Sequence, residues 1–348
     1  MSVKSKTWTH RALTAALVLG MLLIPTFTAS AASPAYSYSF TGPIFGLSAA
    51  PDGSLLVADA AAGVVSLRKG TGSLMAGLPG VSDVAAIGVG NAFAITGAGD
   101  AKLYRVSNGK VRMLADLGAF EATVNPDAPE INPNPFDVEA LNGGKALVAD
   151  AGGNDLLIVD QQGKIDWVAT LPEEMVSTDH IKSLVGCPNP LPGLESFCGL
   201  PPVMPAQAVA TSVAVGPDGA YYMGELKGFP GALNTSRVWR IEPGTLHAQC
   251  GVSPACSVVA SGFTSIVDLA FGPDGTLYVT EYDEASFMAI ELGVGMQGGT
   301  VNACKLGGGC SVLASGLMMP IGVAVTKTGQ VYAAIMNLTP GAQVVMLP

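Results

Sequence analysis

Six copies of one short pattern recur along this 348-residue chain, and they predict an all-β fold, a six-bladed β-propeller with four-stranded blades. Each copy has an apolar segment, a tight turn and a second apolar segment. The first segments are GLSAAPDG, DVAAIGVG, DVEALNGG, SVAVGPDG, DLAFGPDG and GVAVTKTG, beginning at Gly46, Asp83, Asp137, Ser212, Asp268 and Gly322. The second segments are LLVAD, AFAIT, ALVAD, YYMGE, LYVTE and VYAAI. Short apolar runs between turns, without helical periodicity, indicate strands.

The turn chemistry agrees with this interpretation. Pro-Asp-Gly occupies three of the six turns, at 51–53, 217–219 and 273–275. Proline presets φ, the aspartate side chain can bond to the backbone two residues on, and glycine tolerates a positive φ. These turns therefore predict antiparallel neighbours within each repeat.

The spacing of the repeats is that of propeller blades, since about 40–50 residues build four strands. The last repeat offers only three strands, whereas an unassigned apolar segment, YSYSF, precedes the first repeat. We predict that this segment, Tyr36–Phe40, becomes the outer strand of the last blade. It would close the ring and leave no long exposed edge.

The chain begins with the pattern of a secretory signal peptide. Basic residues precede an apolar run from Ala12 to Ile24, and Ala-Ser-Ala at 29–31 is an A-x-A cleavage site. We expect cleavage after Ala31 and a secreted, extracytoplasmic protein. Residues 32–348 are predicted to form one domain, with approximate repeats 42–80, 81–120, 133–172, 208–262, 263–316 and 317–348.

Charge and hydropathy exclude several partners. The net charge is −10, and loss of the basic leader makes the mature chain more acidic. Nucleic acid and anionic membrane surfaces are therefore poor partners. No later run reaches the roughly 18 apolar residues that a membrane span needs. We expect a monomer without membrane insertion that binds an extracellular small molecule or protein.

Six cysteines lie in the second half of the chain, and they support export. Sequence alone does not fix their pairing, but spacing favours three local disulfides. The last two pairs share similar contexts, CGVSPACSVVASGF and CKLGGGCSVLASGL. A zinc site is disfavoured because there is no Cys-x-x-Cys and few histidines are present. The pairs by spacing are Cys187 with Cys198, Cys250 with Cys256, and Cys304 with Cys310.

Three segments resemble the ScyD/ScyE family of secreted β-propeller proteins, which is related to NHL-repeat propellers. They are ATSVAVGPDGAYYMGELKGFPG, GFTSIVDLAFGPDGTLYV and NPFDVEALNGGKALVADAGGNDLLIVDQQG. The resemblance extends over essentially the whole mature chain and implies the propeller fold and export. It carries over no catalytic residue, so it implies no reaction.

Three aspartates occupy the same position in different repeats, at the start of the predicted inner strands. Inner strands line the channel of a propeller, so Asp83, Asp137 and Asp268 are expected near one mouth. They could hold a hard cation such as Ca²⁺, which prefers oxygen ligands. Alternatively, each aspartate caps the backbone of its own or the next blade. No other cofactor is expected.

Calcium-dependent lactonases resembling gluconolactonase offer an enzymatic comparison on this fold. They use a glutamate, two asparagines and an aspartate from separate blades. The corresponding stretches here are Asn-Pro-Phe-Asp and Met-Pro-Ile-Gly, which place Phe136 and Ile321 where asparagines are expected. The lactonase site is therefore not carried over.

Two long connections, residues 120–135 and 173–207, are predicted to reach the same mouth. Connections this long are uncommon in compact domains and often functional. The second contains His180, the one candidate at the mouth for proton transfer near neutral pH. Further candidates for ligand binding follow the second strands of the fourth and fifth repeats. They are Glu225, Lys227, Phe229, Tyr282 and Phe287.

A structural role competes with function at Glu225. An acid ends the second strand in four repeats, at Asp59, Asp150, Glu225 and Glu281. A recurrent acid favours satisfaction of backbone donors in the following turn over catalysis.

The sequence favours a binding or scaffold protein, with its binding face at the channel mouth under the two long connections. The alternative is a Ca²⁺-dependent hydrolase or lactonase-like enzyme that uses the aspartates at the mouth. The missing asparagines and the absence of a nucleophile–base pair favour binding.

Overall fold

The computed structural model describes residues 35–36, 38–338 and 341–348. It has six small antiparallel sheets arranged in a ring, so the six-bladed β-propeller prediction is confirmed. The first strand of each sheet lies innermost and contacts the first strands of its two neighbours. The predicted signal peptide lies outside the described residues.

The strands of the first three blades follow one another in chain order. Blade 1 contains β1 (Ile44–Ala49), β2 (Leu55–Asp59), β3 (Gly63–Arg68) and β4 (Thr71–Gly77). Blade 2 contains β5 (Val81–Gly88), β6 (Asn91–Thr96), β7 (Lys102–Ser107) and β8 (Lys110–Asp116). Blade 3 contains β9 (Pro135–Leu141), β10 (Lys145–Asp150), β11 (Asp155–Val159) and β12 (Ile165–Thr170).

The second half of the ring carries additional elements. A hairpin of β13 (Glu174–Ser177) and β14 (Val203–Ala206) precedes blade 4. Blade 4 contains β15 (Ala210–Val215), β16 (Tyr221–Glu225), β17 (Ser236–Ile241) and β19 (Cys256–Phe263). The short β18 (Ala248–Gln249) pairs in parallel with β12 and gives blade 3 a fifth strand.

Blades 5 and 6 complete the ring. Blade 5 contains β20 (Ile266–Phe271), β21 (Leu277–Glu281), β22 (Gly299–Cys304) and β23 (Cys310–Leu317). Blade 6 contains β24 (Gly322–Val325), β25 (Val331–Ile335) and β26 (Gln343–Met346). The helices are α1 (Leu117–Glu121), α2 (Asp179–Val185), α3 (Phe287–Leu292) and a 3₁₀ turn at Glu195–Gly199.

The apolar cores lie between neighbouring blades. Each sheet is covered on both faces, which explains why its strands are continuous apolar runs in the sequence. All five residues of β2 and of β16 are buried. Representative pairs across the six successive interfaces are Leu56 and Val84, Phe93 and Val148, Leu147 and Val213, Tyr222 and Leu269, Val301 and Val323, and Tyr332 and Leu47.

The Pro-Asp-Gly turns have the predicted chemistry. In blade 5 the Asp274 carboxylate accepts the Thr276 N–H at 3.0 Å, and Gly275 has a φ of 80°. Asp52 and Asp218 accept N–H groups two residues on in the same way, both at 3.2 Å. These turns join the first and second strands of their blades.

The closing strand at the N-terminus does not form as predicted. Ala35 donates its N–H to the Val344 carbonyl at 3.0 Å, and the Tyr36 ring lies 6.1 Å from that of Tyr332. The segment therefore lies beside blade 6, where we expected it. However, neither Tyr36 nor residues 38–40 belong to a strand, Ser37 lies outside the described residues, and blade 6 has three strands in the described part.

The three local disulfides are confirmed. Cys187 bonds to Cys198, Cys250 to Cys256 and Cys304 to Cys310. The bond between Cys304 and Cys310 ties the third and fourth strands of blade 5, whereas the bond between Cys250 and Cys256 ties the connection after β18 to the fourth strand of blade 4.

Candidate functional site

The three inner-strand aspartates connect neighbouring blades. The Asp83 carboxylate in blade 2 accepts the Val138 N–H of blade 3 at 2.8 Å. In the same way, the Asp137 carboxylate in blade 3 accepts the Val213 N–H of blade 4 at 2.6 Å. Each side chain therefore satisfies a backbone donor on the following blade, at the position where the inner strands converge.

The same relation recurs between blades 5 and 6, where Asp268 accepts the Val323 N–H at 2.5 Å. Asp268 also accepts the N–H of the next residue, Leu269, at 2.7 Å. The sequence left two roles open for these aspartates, a cation site or caps on the backbone. Their hydrogen bonds are those of caps on the next blade. Within the described residues no three His, Cys, Asp or Glu side chains are arranged to hold a metal ion. Ca²⁺ at the three aspartates stays a prediction that these contacts do not require.

Smaller residues occupy this position in the other three blades for steric reasons. At Gly46 an added Cβ would lie 1.6 Å from Asp83 Oδ1 and 2.7 Å from Asp83 Cα. Gly322 faces Leu47, whose Cβ would be 3.0 Å away. The blade 1 position must therefore be glycine because the aspartate of blade 2 already fills the space.

The aspartates titrate as a group with Glu139, which the sequence analysis missed. Burial raises the pKa of Asp83, and the charges of Asp137 and Asp268 raise it further. Burial is also the main cause that raises the pKa of Asp137. Burial, followed by the charge of Asp137, raises the pKa of Glu139 to about 8. Alternation along β9 could have indicated Glu139, since it lies two residues after Asp137.

The mouth itself is apolar. Phe136 and Ile321 pack in one cluster with Tyr282, whose hydroxyl donates to Asn337 Oδ1 at 3.1 Å. Phe287 belongs to the same cluster and is half-buried. Half-buried side chains pack against this cluster at the start of inner strands or on the loops above them. They are Phe45, Phe136, Leu226, Phe287 and Ile290.

Residues 173–207, called the cap below, form a folded unit over this mouth. In the cap, α2 packs on α3 of blade 5 through Ile181 and Met288. His180 Nε2 lies 2.9 Å from the Ala285 carbonyl oxygen, which accepts its hydrogen bond. The Phe197 ring of the cap lies 6.1 Å from that of Phe229 on blade 4. The structure thus brings three predicted ligand-binding candidates, His180, Phe229 and Phe287, to the contacts that hold the cap.

Glu225 and Lys227 lie in a closed ion-pair network beneath the cap. Glu225 Oε1 accepts from Arg237 Nε at 2.6 Å, and its Oε2 accepts from Trp239 Nε1 at 3.3 Å and lies 3.3 Å from Lys227 Nζ. Lys227 Nζ also donates to Glu174 Oε2 at 2.9 Å. Both Glu225 oxygens are engaged, and neither the Glu225 nor the Lys227 side chain is exposed. The network supports a structural role for both residues.

The other strand-ending acids bond to backbone, as expected. Asp59 accepts the N–H groups of Thr41, Ala61 and Ala62 at 2.7, 3.0 and 3.0 Å. Asp150 accepts those of Asn134, Gly152 and Gly153 at 2.7, 3.0 and 2.9 Å, and Glu281 accepts that of Thr264. Glu225 differs because its partners are side chains. Its network includes Arg237 and, through Lys227 and Arg237, the Glu174 carboxylate of the cap; Glu174 is distant in sequence and left no local signal.

The two long connections meet at the rim. Gln207 Nε2 of the cap lies 3.5 Å from Glu130 Oε2 of the 120–135 connection. The Asn134 side chain of that connection accepts the Ala98 N–H of blade 2 at 3.0 Å. The prediction that both connections reach one face agrees with these contacts.

Comparison with known proteins supports the fold. No family model matches the chain, and no curated protein matches it in sequence. A gluconolactonase of Xanthomonas campestris is similar in structure, with 12% identity, 94% of this chain and 99% of that chain covered, and a TM-score of 0.57. So is a PQQ-bound aldose sugar dehydrogenase of Streptomyces coelicolor, with 13% identity, 90% and 96% covered, and a TM-score of 0.55.

A third neighbour is a putative glucose dehydrogenase of Thermus thermophilus, with 15% identity, 90% and 98% covered, and a TM-score of 0.53. Identities this low show the fold alone. The chain is therefore a β-propeller with gluconolactonase-like structural neighbours. Separately, in the described part of the chain no helix has the length and apolar character needed to cross a membrane.

Gly46→Ala should destabilise the protein by about 1–3 kcal/mol, because the new methyl group overlaps the Asp83 carboxylate. Displacement of this carboxylate also breaks its bond to Val138. Gly88→Ala is the matched control, since an added Cβ there meets nothing within 4 Å. Denaturant unfolding of both variants measures the difference, and equal midpoints would contradict the close approach.

Glu225→Gln should cost about 3–5 kcal/mol, because it leaves buried Lys227 with less compensating charge. Glu242→Gln removes the exposed partner of Arg240, which lies 2.7 Å away at the end of β17, and should cost no more than about 1 kcal/mol. Urea unfolding of the two variants tests the contrast. Similar small losses of stability in both variants would show that the Glu225 network contributes little to the free energy of unfolding.

Stability should fall as pH rises from about 4 to about 8. In this window folded Glu139, with a pKa of about 8, holds a proton that the unfolded chain has lost. The free energy of unfolding therefore decreases by up to about 1.4 kcal/mol per pH unit for this group. Glu139→Gln should flatten the profile, whereas Glu242→Gln should not. A profile with the same slope in all three proteins would refute this assignment.

Proposed function

We propose that this protein is an exported β-propeller binding protein whose ligand lies at the channel mouth, under residues 120–135 and the cap. The observation that carries the proposal is the cap itself. It is a folded unit with its own hairpin, helix and disulfide, seated over apolar side chains at one mouth.

The lining of the mouth favours binding over lactone hydrolysis. Phe136 and Ile321 pack in the apolar cluster where metal-binding asparagines were expected. The three aspartates each use an oxygen to hold the next blade. Clefts lined by apolar and aromatic groups with a few fixed polar atoms are typical of small-molecule sites.

The chemistry of the lining supports an apolar or aromatic small molecule as ligand. Phe45, Phe136 and Ile290 are half-buried, so each has surface left for a ligand to cover. Burial of such surface contributes roughly 25 cal/mol per Å².

Export and family membership belong to the same proposal. Three disulfides suit an oxidising, extracytoplasmic compartment, and the leader pattern supplies the route. The resemblance to the ScyD/ScyE family would place the protein among secreted propellers without an assigned reaction.

The test uses the oxidised protein from residue 32 onward and the neutral apolar dye Nile red. We expect saturable fluorescence enhancement that Phe136→Ser weakens several-fold, because this change removes apolar surface at the mouth. Val312→Ser is the control, since Val312 is 62% exposed on the outer strand β23. Thermal unfolding of both variants verifies that they are folded.

Two results would contradict the proposal. Equal dye binding by all three proteins would remove the mouth as the binding site. Ca²⁺-dependent hydrolysis of glucono-δ-lactone that Asp137→Asn abolishes would support the lactonase-like alternative instead.

A further inference from the structure

A second acidic cluster lies at the outer side of the same face, between the 120–135 connection and blade 3. Glu121 ends α1, Asn125 and Asp127 follow it in the connection, and Asp155 begins β11. Asp155 is fully buried and Glu121 is 2% exposed. None of these residues touches the aspartates of the inner strands in any contact described above.

The cluster concentrates buried oxygens without hydrogen-bond partners. Among the described residues seven buried side-chain polar atoms lack a partner, and five of them are oxygens of this cluster. These five atoms are Glu121 Oε1, Asn125 Oδ1, Asp127 Oδ1, Asp155 Oδ1 and Asp155 Oδ2. Native proteins leave few such groups unsatisfied, and each calls for an explanation such as a bound ion or water.

The neighbouring polar groups are already committed elsewhere. Asn154 donates its amide to Asp127 Oδ2 at 3.0 Å, and its carbonyl accepts the Val209 N–H at 2.7 Å. Asp150 Oδ1 accepts three backbone N–H groups. These bonds hold Asp127 and Asp150 in place but supply no donor to Asp155.

The acidic side chains of the cluster lie close together. An added Cβ on Gly153 would lie 3.4 Å from Asp155 Oδ2 and 3.5 Å from Asp150 Cγ, so the two carboxyls flank this residue. The charged groups that act on Asp155 are Asp150, Glu121 and Asp127, all acidic. Buried carboxylates without a cation or donor are costly, so positive charge is what the cluster lacks.

The donor set identifies the cation. All available ligands are carboxylate or amide oxygens, without histidine nitrogen or cysteine sulfur. Such a set suits a hard divalent cation, and a mixture of carboxylates with an amide oxygen from a flexible connection suits Ca²⁺ better than Mg²⁺.

A route to the cluster is present. A cavity of about 280 Å³ opens beside it and is lined by Asp127, Asn154, Glu130 and Glu173 among others. The two additional carboxylates make this entrance acidic, which attracts cations.

We propose that Glu121, Asn125, Asp127 and Asp155 bind a Ca²⁺ ion that fastens the 120–135 connection to blade 3. In the described residues no three acidic side chains are yet closed around one point. The proposal therefore includes a movement of the Glu121 and Asp155 carboxylates towards a common point when the ion binds. This site is separate from the inner-strand aspartates and does not depend on the proposed ligand at the mouth.

The test compares Ca²⁺ and Mg²⁺ binding to the chelator-treated oxidised protein by calorimetry and thermal unfolding. We expect about one Ca²⁺ per chain, a rise in Tm with Ca²⁺ and a smaller rise with Mg²⁺. Asp155→Asn and Asp127→Asn should each weaken Ca²⁺ binding roughly tenfold or more. Glu242→Gln, which changes an exposed acid at the end of β17, is the control and should leave Ca²⁺ affinity unchanged, whereas Asp268→Asn tests the inner-strand aspartates as the other site.

Proteolysis supplies a second measurement. Residues 128–131 are exposed, and Ca²⁺ should slow cleavage of the 120–135 connection in wild type but not in Asp155→Asn. Three results would overturn the proposal. The first is the absence of any Ca²⁺-dependent change in Tm or cleavage. The second is Ca²⁺ binding that is lost in Asp268→Asn but kept in Asp155→Asn. The third is a Tm that responds to pH but not to Ca²⁺.

Discussion

The fold depends on how six sheets are held face to face around one axis. Apolar side chains fill the gaps between blades, but apolar packing is not directional and cannot by itself fix the register of one inner strand against the next. The carboxylates of Asp83, Asp137 and Asp268 supply direction, because each accepts one particular N–H on the following blade. These bonds fix the inner strands against each other at three of the six interfaces, between blades 2 and 3, blades 3 and 4, and blades 5 and 6.

The aspartates that bond to the next blade also explain why some inner-strand positions exclude a side chain. Gly46 has no room for a side chain because Asp83 occupies the space, so the aspartate position in one blade dictates the residue in the previous one. Ser212 is too short to repeat the bond, and in blade 5 Asp268 caps Leu269 itself. A repeat position can therefore be equivalent in the fold and different in sequence, with each residue matched to its neighbour in the ring.

The fold could be predicted from sequence because its causes are local. Short apolar runs, Pro-Asp-Gly turns and cysteine spacing act within about ten residues, and the turns and disulfides formed as expected. The described residues 35–36 and 38–40 of the N-terminal segment are not in a strand. Their local sequence does not determine pairing with blade 6, where Ala35 bonds to Val344 more than 300 residues away. The site was less predictable for the same reason. Glu225 is 51 residues from Glu174 in the chain, and Glu174 reaches their shared partners Lys227 and Arg237 only because the cap folds onto blade 4.

The acidic residues show four solutions to one electrostatic problem, which an acidic chain with many buried carboxyls must solve. Asp59 and Asp150 are compensated by backbone N–H groups, and Glu225 by Lys227 and Arg237. At Asp83, Asp137 and Glu139 burial raises the pKa of the carboxyls, which favours their protonated form. None of these compensations is present at Asp155, where both oxygens are unpartnered and the surrounding charges are acidic. If bound protons neutralised that cluster, it would lose them as pH rises and would then be destabilised. The proposed Ca²⁺ ion would leave the cluster intact at neutral pH. It would also give the 120–135 connection, which has little secondary structure beyond α1, a fixed point at the edge of the mouth.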